Sequence, residues 1–157
     1  MKKNRGIIIL VGILLILISI IISLFVIIDK KSMFIEPSFD ENVSVIPENL
    51  DYKSSVIEVS EGYNIYINPV PSIEDNKLVI NFISIKDNNI WIKIRILNDN
   101  EEIVGESGLV KPGEYLKSVI LNKKINGNDN IVYEIIGYEI DSYLSAGTIK
   151  LNTKVGA

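Results

Sequence analysis

Four glutamates close to a Pro-Gly pair are the side chains whose type and spacing could support acid–base chemistry. A general acid and a general base need two carboxyl groups in fixed geometry with separated pKa values. Spacing alone does not establish such a pair, and surface turns commonly carry acidic residues, so we expect no catalytic residues and no enzyme activity. The four glutamates are Glu101, Glu102, Glu106 and Glu114.

Two residue types that carry much of enzyme chemistry are missing, because the chain contains no histidine and no cysteine. Histidine is the usual general base near neutral pH and the commonest zinc ligand. Cysteine supplies thiolate nucleophiles, disulfides and bacterial lipid anchors. The composition therefore argues against catalytic triads and zinc hydrolases, and we expect no cofactor.

Three short runs rich in Asp and Asn could supply oxygen ligands to calcium, which needs several such ligands converging on one point. Each run lies between predicted strands, where Asp, Asn and Gly supply turn geometry. We therefore favour hairpin turns over calcium binding and predict no metal site. The runs are residues 87–89, 98–102 and 126–130.

Aromatic side chains could form an exposed surface for recognition of glycans or proteins. Aromatic residues in strands more often pack in the core or against a neighbouring strand, and we favour that interpretation. The residues concerned are Tyr63, Tyr66, Tyr133, Tyr138, Tyr143 and Trp91.

The charge is unevenly distributed along the chain. The formal net charge is −4, yet residues 1–28 carry Lys2, Lys3 and Arg5 and no acid. The remainder therefore holds 20 acids against 13 bases. Because an acidic domain repels phosphate backbones and anionic wall polymers, we expect no nucleic-acid partner.

An uncharged apolar run extends from Gly6 to Ile28, before all of the predicted strands. Residues 7–28 would reach roughly 33 Å as a helix, which is enough to cross a bilayer. The run is longer than a signal-peptide core and lacks a small-residue cleavage site, so we predict an uncleaved signal anchor. The bases before it outnumber Lys30 and Lys31 after it, which predicts a cytoplasmic N-terminus over 1–6 and an extracytoplasmic C-terminal domain.

Residues 29–54 break the apolar pattern and predict an extracytoplasmic linker. Pro37 and Pro47 interrupt any helix, and the segment is rich in acids, Asn and Ser. A short strand at Val43–Ile46 is the one element predicted within it.

Beyond residue 54, apolar residues recur with a period of two, which is typical of half-buried strands. The clearest case is Ile90–Leu97, where isoleucines alternate with Trp91, Lys93 and Arg95. Comparable runs predict seven or eight strands. We therefore predict an all-β fold over 55–157, an antiparallel β-sandwich of immunoglobulin or fibronectin type III type.

The stretch Ser107–Leu121 contains Pro112 and Gly113, which we interpret as a structural turn. Pro pre-sets φ near −65° and Gly accepts positive φ, as a type II turn requires. The following residues are apolar on both faces, which predicts a strand that crosses between two sheets.

Residues 84–121 resemble a group of small single-pass membrane proteins of Gram-positive Firmicutes, mostly uncharacterised. The resemblance lies in an Asn-x-aromatic strand (Asn89–Trp91), a Ser-x-Leu-Ile-x-Pro-Gly turn (Ser107–Gly113) and an alternating strand (Leu116–Leu121). It implies an immunoglobulin-like ectodomain behind one membrane anchor and implies no particular activity.

The first six residues are also similar to a type IV prepilin leader cut after Gly6. Pilins place Glu at the fifth mature position, where this chain has Val11, and Pro37 interrupts the stalk that a pilin helix would continue. The hypothesis from the sequence is a non-catalytic interaction or assembly module of the cell envelope. Its expected partners are the lipid bilayer and an unidentified envelope protein. A pilin-like or pseudopilin-like subunit is the alternative.

Overall fold

The computed structural model describes residues 13–20, 36–51, 56–60 and 62–156. The chain divides into two compact units, Met1–Ile35 and Glu36–Ala157. In the first unit, residues 13–20 form a helix. Among the described residues, no helix is both long enough and apolar enough to cross a bilayer. The rest of the span predicted at 7–28, the N-terminus at 1–6 and the bond after Gly6 lie outside the described residues.

The described part of the second unit contains ten strands, and all ladders between them are antiparallel. The all-β prediction is confirmed, and so is the antiparallel pairing. The strands are β1 (Val43–Val45), β2 (Ile57–Val59), β3 (Tyr63–Tyr66), β4 (Ser72–Glu74), β5 (Lys77–Ser84), β6 (Ile90–Leu97), β7 (Ile103–Glu106), β8 (Glu114–Ile120), β9 (Asn130–Glu139) and β10 (Ser145–Lys154).

The strands form two sheets. Sheet 1 has the order β1-β8-β5-β3-β2, with β4 also paired to β5, and sheet 2 has the order β10-β9-β6-β7. The chain changes sheet between β5 and β6, between β7 and β8, and between β8 and β9. Three of the nine connections between the described strands therefore cross from one sheet to the other, which ties the two sheets together.

Both sheets contribute to one apolar core, which is the arrangement of a β-sandwich. The isoleucines of β6 all face this core, as their alternation predicts, because successive side chains of a strand point to opposite faces. Phe82 and Ile80 of β5 and Leu116 of β8 meet them from sheet 1. Removing this apolar area from water supplies the main force that holds the sheets together.

Strands β3 and β4 lie end to end along one edge of β5. Ile65 pairs with Ser84 and Ile73 pairs with Leu78, so the two strands follow one another against the same partner. Pro69 and Pro71 separate them. Proline lacks the N–H that a ladder needs, which explains the interruption.

Residues 36–46 are built into the second unit, although they fall in the predicted linker of 29–54. β1 pairs with β8 in the register Val43↔Leu116, at the edge of sheet 1. Asp40 turns the chain into β1, because its Oδ1 accepts a hydrogen bond from the Asn42 amide at 2.8 Å.

The segment 38–40 packs directly against the segment 107–110. The Leu109 amide donates to the Ser38 carbonyl at 2.8 Å, and the Asp40 amide donates to the Leu109 carbonyl at 2.9 Å. The Gly108 amide donates to Asp40 Oδ2 at 2.8 Å. A Cβ on residue 108 would lie 2.4 Å from the Asp40 backbone nitrogen, so only glycine allows this approach.

The turn at Pro112 and Gly113 begins β8. Gly113 has φ of 81°, and the Glu114 amide donates to the Lys111 carbonyl at 3.1 Å. On either side of β8, Val110 exchanges hydrogen bonds with Ile92 of sheet 2, and Leu121 bridges to Gly105. The stretch thus contacts sheet 2 at both ends and belongs to sheet 1 in its middle.

We predict that Gly113→Val lowers the free energy of unfolding by about 1–2 kcal/mol, because positive φ is unfavourable for a β-branched residue. A Cβ there would meet Lys86 at an ordinary 3.7 Å, so the loss would come from backbone conformation and not from a clash. Gly113→Asn is the control, since Asn tolerates positive φ. Urea unfolding measures both variants, and equal losses would contradict the prediction.

We predict that Gly108→Ala lowers the free energy of unfolding by about 1–3 kcal/mol, because the added methyl group forces two backbone segments apart. Gly156→Ala is the matched control, since its Cβ would lie 3.4 Å from the Pro71 carbonyl oxygen. Urea unfolding of the full chain compares the two. Stability of Gly108→Ala equal to that of the control would show that residues 38–40 do not pack on Gly108.

Candidate functional site

The outer face of sheet 2 carries the polar and aromatic side chains that the core excludes. Because the isoleucines of β6 point inward, Trp91, Lys93 and Arg95 point outward. Opposite them on β9 are Tyr138, Ile136 and Glu134, in register. This face therefore has an aromatic end at Trp91 and a charged end at Arg95.

At the charged end, ion pairs link all four strands of sheet 2. Glu106 of β7 lies 3.0 Å from Lys93 and 3.4 Å from Arg95, and Glu134 of β9 lies 3.4 Å from Arg95 and 3.7 Å from Lys150. Partial burial acts to raise the pKa of Glu106, but Lys93 and Arg95 outweigh it and hold that pKa below its ordinary value. The glutamates thus offset the neighbouring bases, and we interpret this end as a structural ladder.

At the aromatic end, three rings pack on one another and form what we call the aromatic patch, Phe39, Trp91 and Tyr143. The Phe39 and Trp91 ring centroids are 4.9 Å apart and nearly perpendicular, and those of Trp91 and Tyr143 are 5.1 Å apart at 51°. Such edge and tilted arrangements are favourable for aromatic pairs. The Lys111 ammonium lies 4.4 Å from the Phe39 centroid.

Each ring of the patch comes from a different part of the chain. Trp91 lies on the outer face of β6, opposite Tyr138. Phe39 is held by its bridge to Leu109 and by the close approach of Asp40 to Gly108. The patch therefore depends on the packing of residues 38–40.

Tyr143 reaches the patch from the loop between β9 and β10, residues 140–144, which we call the hairpin loop. Its φ is 54°, and Asp141 in the same loop has φ of 68°. A bulky residue at positive φ costs about 1–2 kcal/mol and persists only where its surroundings hold it. Here the Tyr143 amide donates to the Glu139 carbonyl at 3.1 Å, and the Glu139 amide donates to the Leu144 carbonyl at 2.8 Å.

The structure separates the tyrosines that the sequence grouped together. Tyr63 and Tyr133 are 1% exposed and belong to the core, and burial raises the pKa of Tyr133. Tyr66 lies on sheet 1 near Tyr115, whose pKa is raised by burial and by Tyr66. Packing is thus the correct interpretation for the core pair, whereas Tyr143 and Trp91 contribute to an outer-face cluster.

The predicted carboxylates have different partners. Glu102 lies 2.9 Å from Lys123, whose hydrogen bond lowers the pKa of Glu102. Glu114 accepts a hydrogen bond from the Lys111 amide at 2.7 Å, and Glu106 belongs to the ladder. Glu101 has φ of 60° in the turn between β6 and β7. The structure therefore assigns these residues to turns and ion pairs and does not pair them as an acid and a base.

The runs of Asp and Asn stabilise loops. Asn98 Oδ1 accepts from the amides of Asn100 and Glu102 at 3.0 Å each. Asn88 bonds to the backbone of Asn64 through both of its side-chain atoms at 2.8 Å, and Asp129 accepts from the Asn126 amide at 2.8 Å. Within the described ranges, no group of three or more acidic residues is placed to hold a metal ion.

Two of the depressions on the described surface are possible ligand sites to compare with the aromatic patch. One of about 430 Å³ is lined by Asp99, 130–132 and 152–154, and its ionisable side chains are Asp99 and Lys154. The other, of about 100 Å³, lies between Ile57 of β2 and Leu151 of β10 and is smaller than the usual 300–1,000 Å³ or so of ligand sites. The aromatic patch differs from these depressions because it brings together aromatic side chains from three parts of the chain.

Sequence reasoning missed Phe39 and Lys111 as members of this cluster. Phe39 lies in a polar segment that reads as a linker, and Lys111 precedes a turn. Neither has a local pattern that places it beside Trp91. Only the contact between segments almost seventy residues apart in sequence brings them there.

Comparison with known proteins adds no family to this description. No protein-family model matches the chain, and no curated protein matches it. Function is therefore argued from the fold and the aromatic patch.

Proposed function

We propose that this chain is a membrane-anchored, extracytoplasmic protein of the cell envelope that acts as a non-catalytic interaction or assembly module. Its contact surface is the aromatic patch with the adjoining hairpin loop. The observation that carries the proposal is the exposed apolar surface at this place: Phe39 is 37% exposed, Ile140 41% and Leu144 63%. Leu144 is next to Tyr143 in the chain, and exposed apolar residues beside an aromatic cluster suit a contact site.

The anchor is supported by the apolar helix at 13–20. Its side chains Ile13, Leu14, Leu15, Ile16, Leu17, Ile18 and Ile20 are all exposed. A helix that is apolar on every side is stable when protein or lipid surrounds it. It lies inside the uncharged run of 7–28, whose length suits a bilayer, and the bases at Lys2, Lys3 and Arg5 favour a cytoplasmic N-terminus.

An immunoglobulin or fibronectin type III relationship is part of the proposal. In that fold strands A, B, E and D form one sheet and C, F and G form the other, to which variable-type domains add C′. With β3 and β4 as A, β5 as B and β8 as E, sheet 1 matches the order A-B-E, and β2 is an additional strand beside β3. With β7, β6, β9 and β10 as C′, C, F and G, sheet 2 matches the second sheet. The D position, beside strand E, is occupied by β1. This strand precedes strand A in the sequence, whereas strand D of the immunoglobulin fold follows strand C.

A non-catalytic role is supported by the residues available and by their partners. The chain has no histidine or cysteine, and three of the four predicted carboxylates are engaged by Lys93, Lys123 and the Lys111 amide. The aromatic patch itself contains no carboxylate. Binding is therefore the chemistry that this surface offers.

Single introduced cysteines test location and contact together, because the natural chain has none. Leu144→Cys reports on the hairpin loop. Lys124→Cys is the matched control, since it is exposed in the loop between β8 and β9, near Asn98 at the far end of β6 from Trp91. A membrane-impermeant maleimide is applied to intact cells, to isolated membranes and to detergent-purified protein.

We expect Lys124→Cys to react in intact cells, as an extracytoplasmic domain requires. We expect Leu144→Cys to react much more slowly than the control in cells and membranes, and as fast as the control in detergent. A control that reacts only after permeabilisation contradicts the location. Equal reaction of the two cysteines in membranes contradicts the contact surface.

Intact-mass analysis of the same samples detects cleavage after Gly6, which would favour the pilin-like alternative.

A further inference from the structure

The aromatic patch and the hairpin loop combine two kinds of apolar side chain. The rings of Trp91 and Tyr143 are half-buried and carry polar N–H and O–H groups at one edge. The aliphatic side chains of Ile140 and Leu144 flank Tyr143 in the chain and are exposed. Amphipathic rings beside exposed aliphatic residues are typical of surfaces that lie at the level of lipid headgroups.

The hairpin loop is held in a conformation that presents this surface. Tyr143 adopts positive φ, which its residue type disfavours, and hydrogen bonds of the loop maintain it. The Ser142 hydroxyl, for example, donates to Glu139 Oε2 at 2.9 Å. A loop that is fixed before contact loses less entropy on binding.

Charged groups around the patch limit how deeply it could enter an apolar phase. The Lys111 ammonium lies over the Phe39 ring at its edge, where it suits lipid phosphates. Glu139 at the end of β9 and Asp141 on the hairpin loop are exposed and must remain in water. This combination fits contact with the headgroup region and not insertion into the hydrocarbon core.

We infer that the occupant of the aromatic patch is the surface of the lipid bilayer in which the chain is anchored. This inference rests on the proposed function. Phe39 follows Ile28, the end of the predicted span, after ten residues, which reach at most about 36 Å when extended. The length of chain between them is therefore enough for Phe39 to reach a bilayer surface.

Trp91 is the one tryptophan of the chain and lies within the patch, so its fluorescence reports directly on what covers it. The full chain is reconstituted into vesicles of phosphatidylcholine and phosphatidylglycerol and recovered by flotation. Some vesicles contain lipid brominated near the top of the acyl chain, which quenches tryptophan at short range. Acrylamide, a neutral aqueous quencher, measures exposure to water.

The variant Ile140→Ser/Leu144→Ser removes the exposed aliphatic side chains of the hairpin loop. Ile120→Ser is the matched control, because Ile120 is 59% exposed on β8 of sheet 1, away from the patch. All three side chains are on the surface, and thermal unfolding checks that each variant keeps its fold.

We expect brominated lipid to quench Trp91 in the natural chain and in Ile120→Ser, and we expect the double variant to lose this quenching and gain acrylamide quenching. Floated protein whose Trp91 is insensitive to brominated lipid contradicts bilayer docking and leaves the anchor intact. Protection from both quenchers means that protein and not lipid covers Trp91, which also overturns the inference. A chain that fails to float contradicts the anchor and the docking together.

Discussion

The packing of residues 38–40 on residues 107–110 is the constraint on which the other features depend. Two backbone segments approach so closely that residue 108 can carry no side chain, and the Asp40 carboxylate holds the approach by accepting from the Gly108 amide. The same carboxylate turns the chain into β1. One residue thus connects the edge of sheet 1 to the segment that borders β6 of sheet 2.

This contact explains how a sandwich with an ordinary core acquires a distinctive surface. Alternation along β6 places isoleucines in the core and leaves Trp91, Lys93 and Arg95 outside. Glu106 and Glu134 complete the charged end of that face. The aromatic end is completed by residues from outside the sheet, because Phe39 arrives with the N-terminal segment and Tyr143 with the hairpin loop. The interaction role and the bilayer contact that we propose both depend on this assembly.

Local patterns in the sequence predict the parts of the fold that local physics determines. β6 follows from strict alternation, and Gly113 follows from the positive φ that a turn after Pro112 needs. The alternation of apolar residues does not predict β4, because this strand is short and follows Pro69 and Pro71, which interrupt the pattern. Residues 36–46 have the composition of a linker, and only their partners on β8 and at Leu109 make them part of the domain.

The aromatic patch shows why a site of this kind escapes sequence reasoning. Tyr133 and Trp91 both lie in alternating strands, yet one faces the core and the other faces outward, and a list of aromatic residues does not distinguish them. Tyr143 adopts positive φ, which its residue type disfavours and which its loop enforces. The position of Phe39 depends on a contact between two segments that are almost seventy residues apart in the sequence. Each of these is set by tertiary structure.

Amide hydrogen exchange at Gly108 and Leu109 in the full chain tests the central contact most directly. Both amides donate to the 38–40 segment, at 2.8 Å each. If that segment is an integral part of the domain, the two amides exchange as slowly as the Ile92 amide, which is bonded between β6 and Val110. Exchange as fast as that of the exposed Lys124 amide would mean that residues 38–40 do not stay on the domain, and the aromatic patch would lose Phe39.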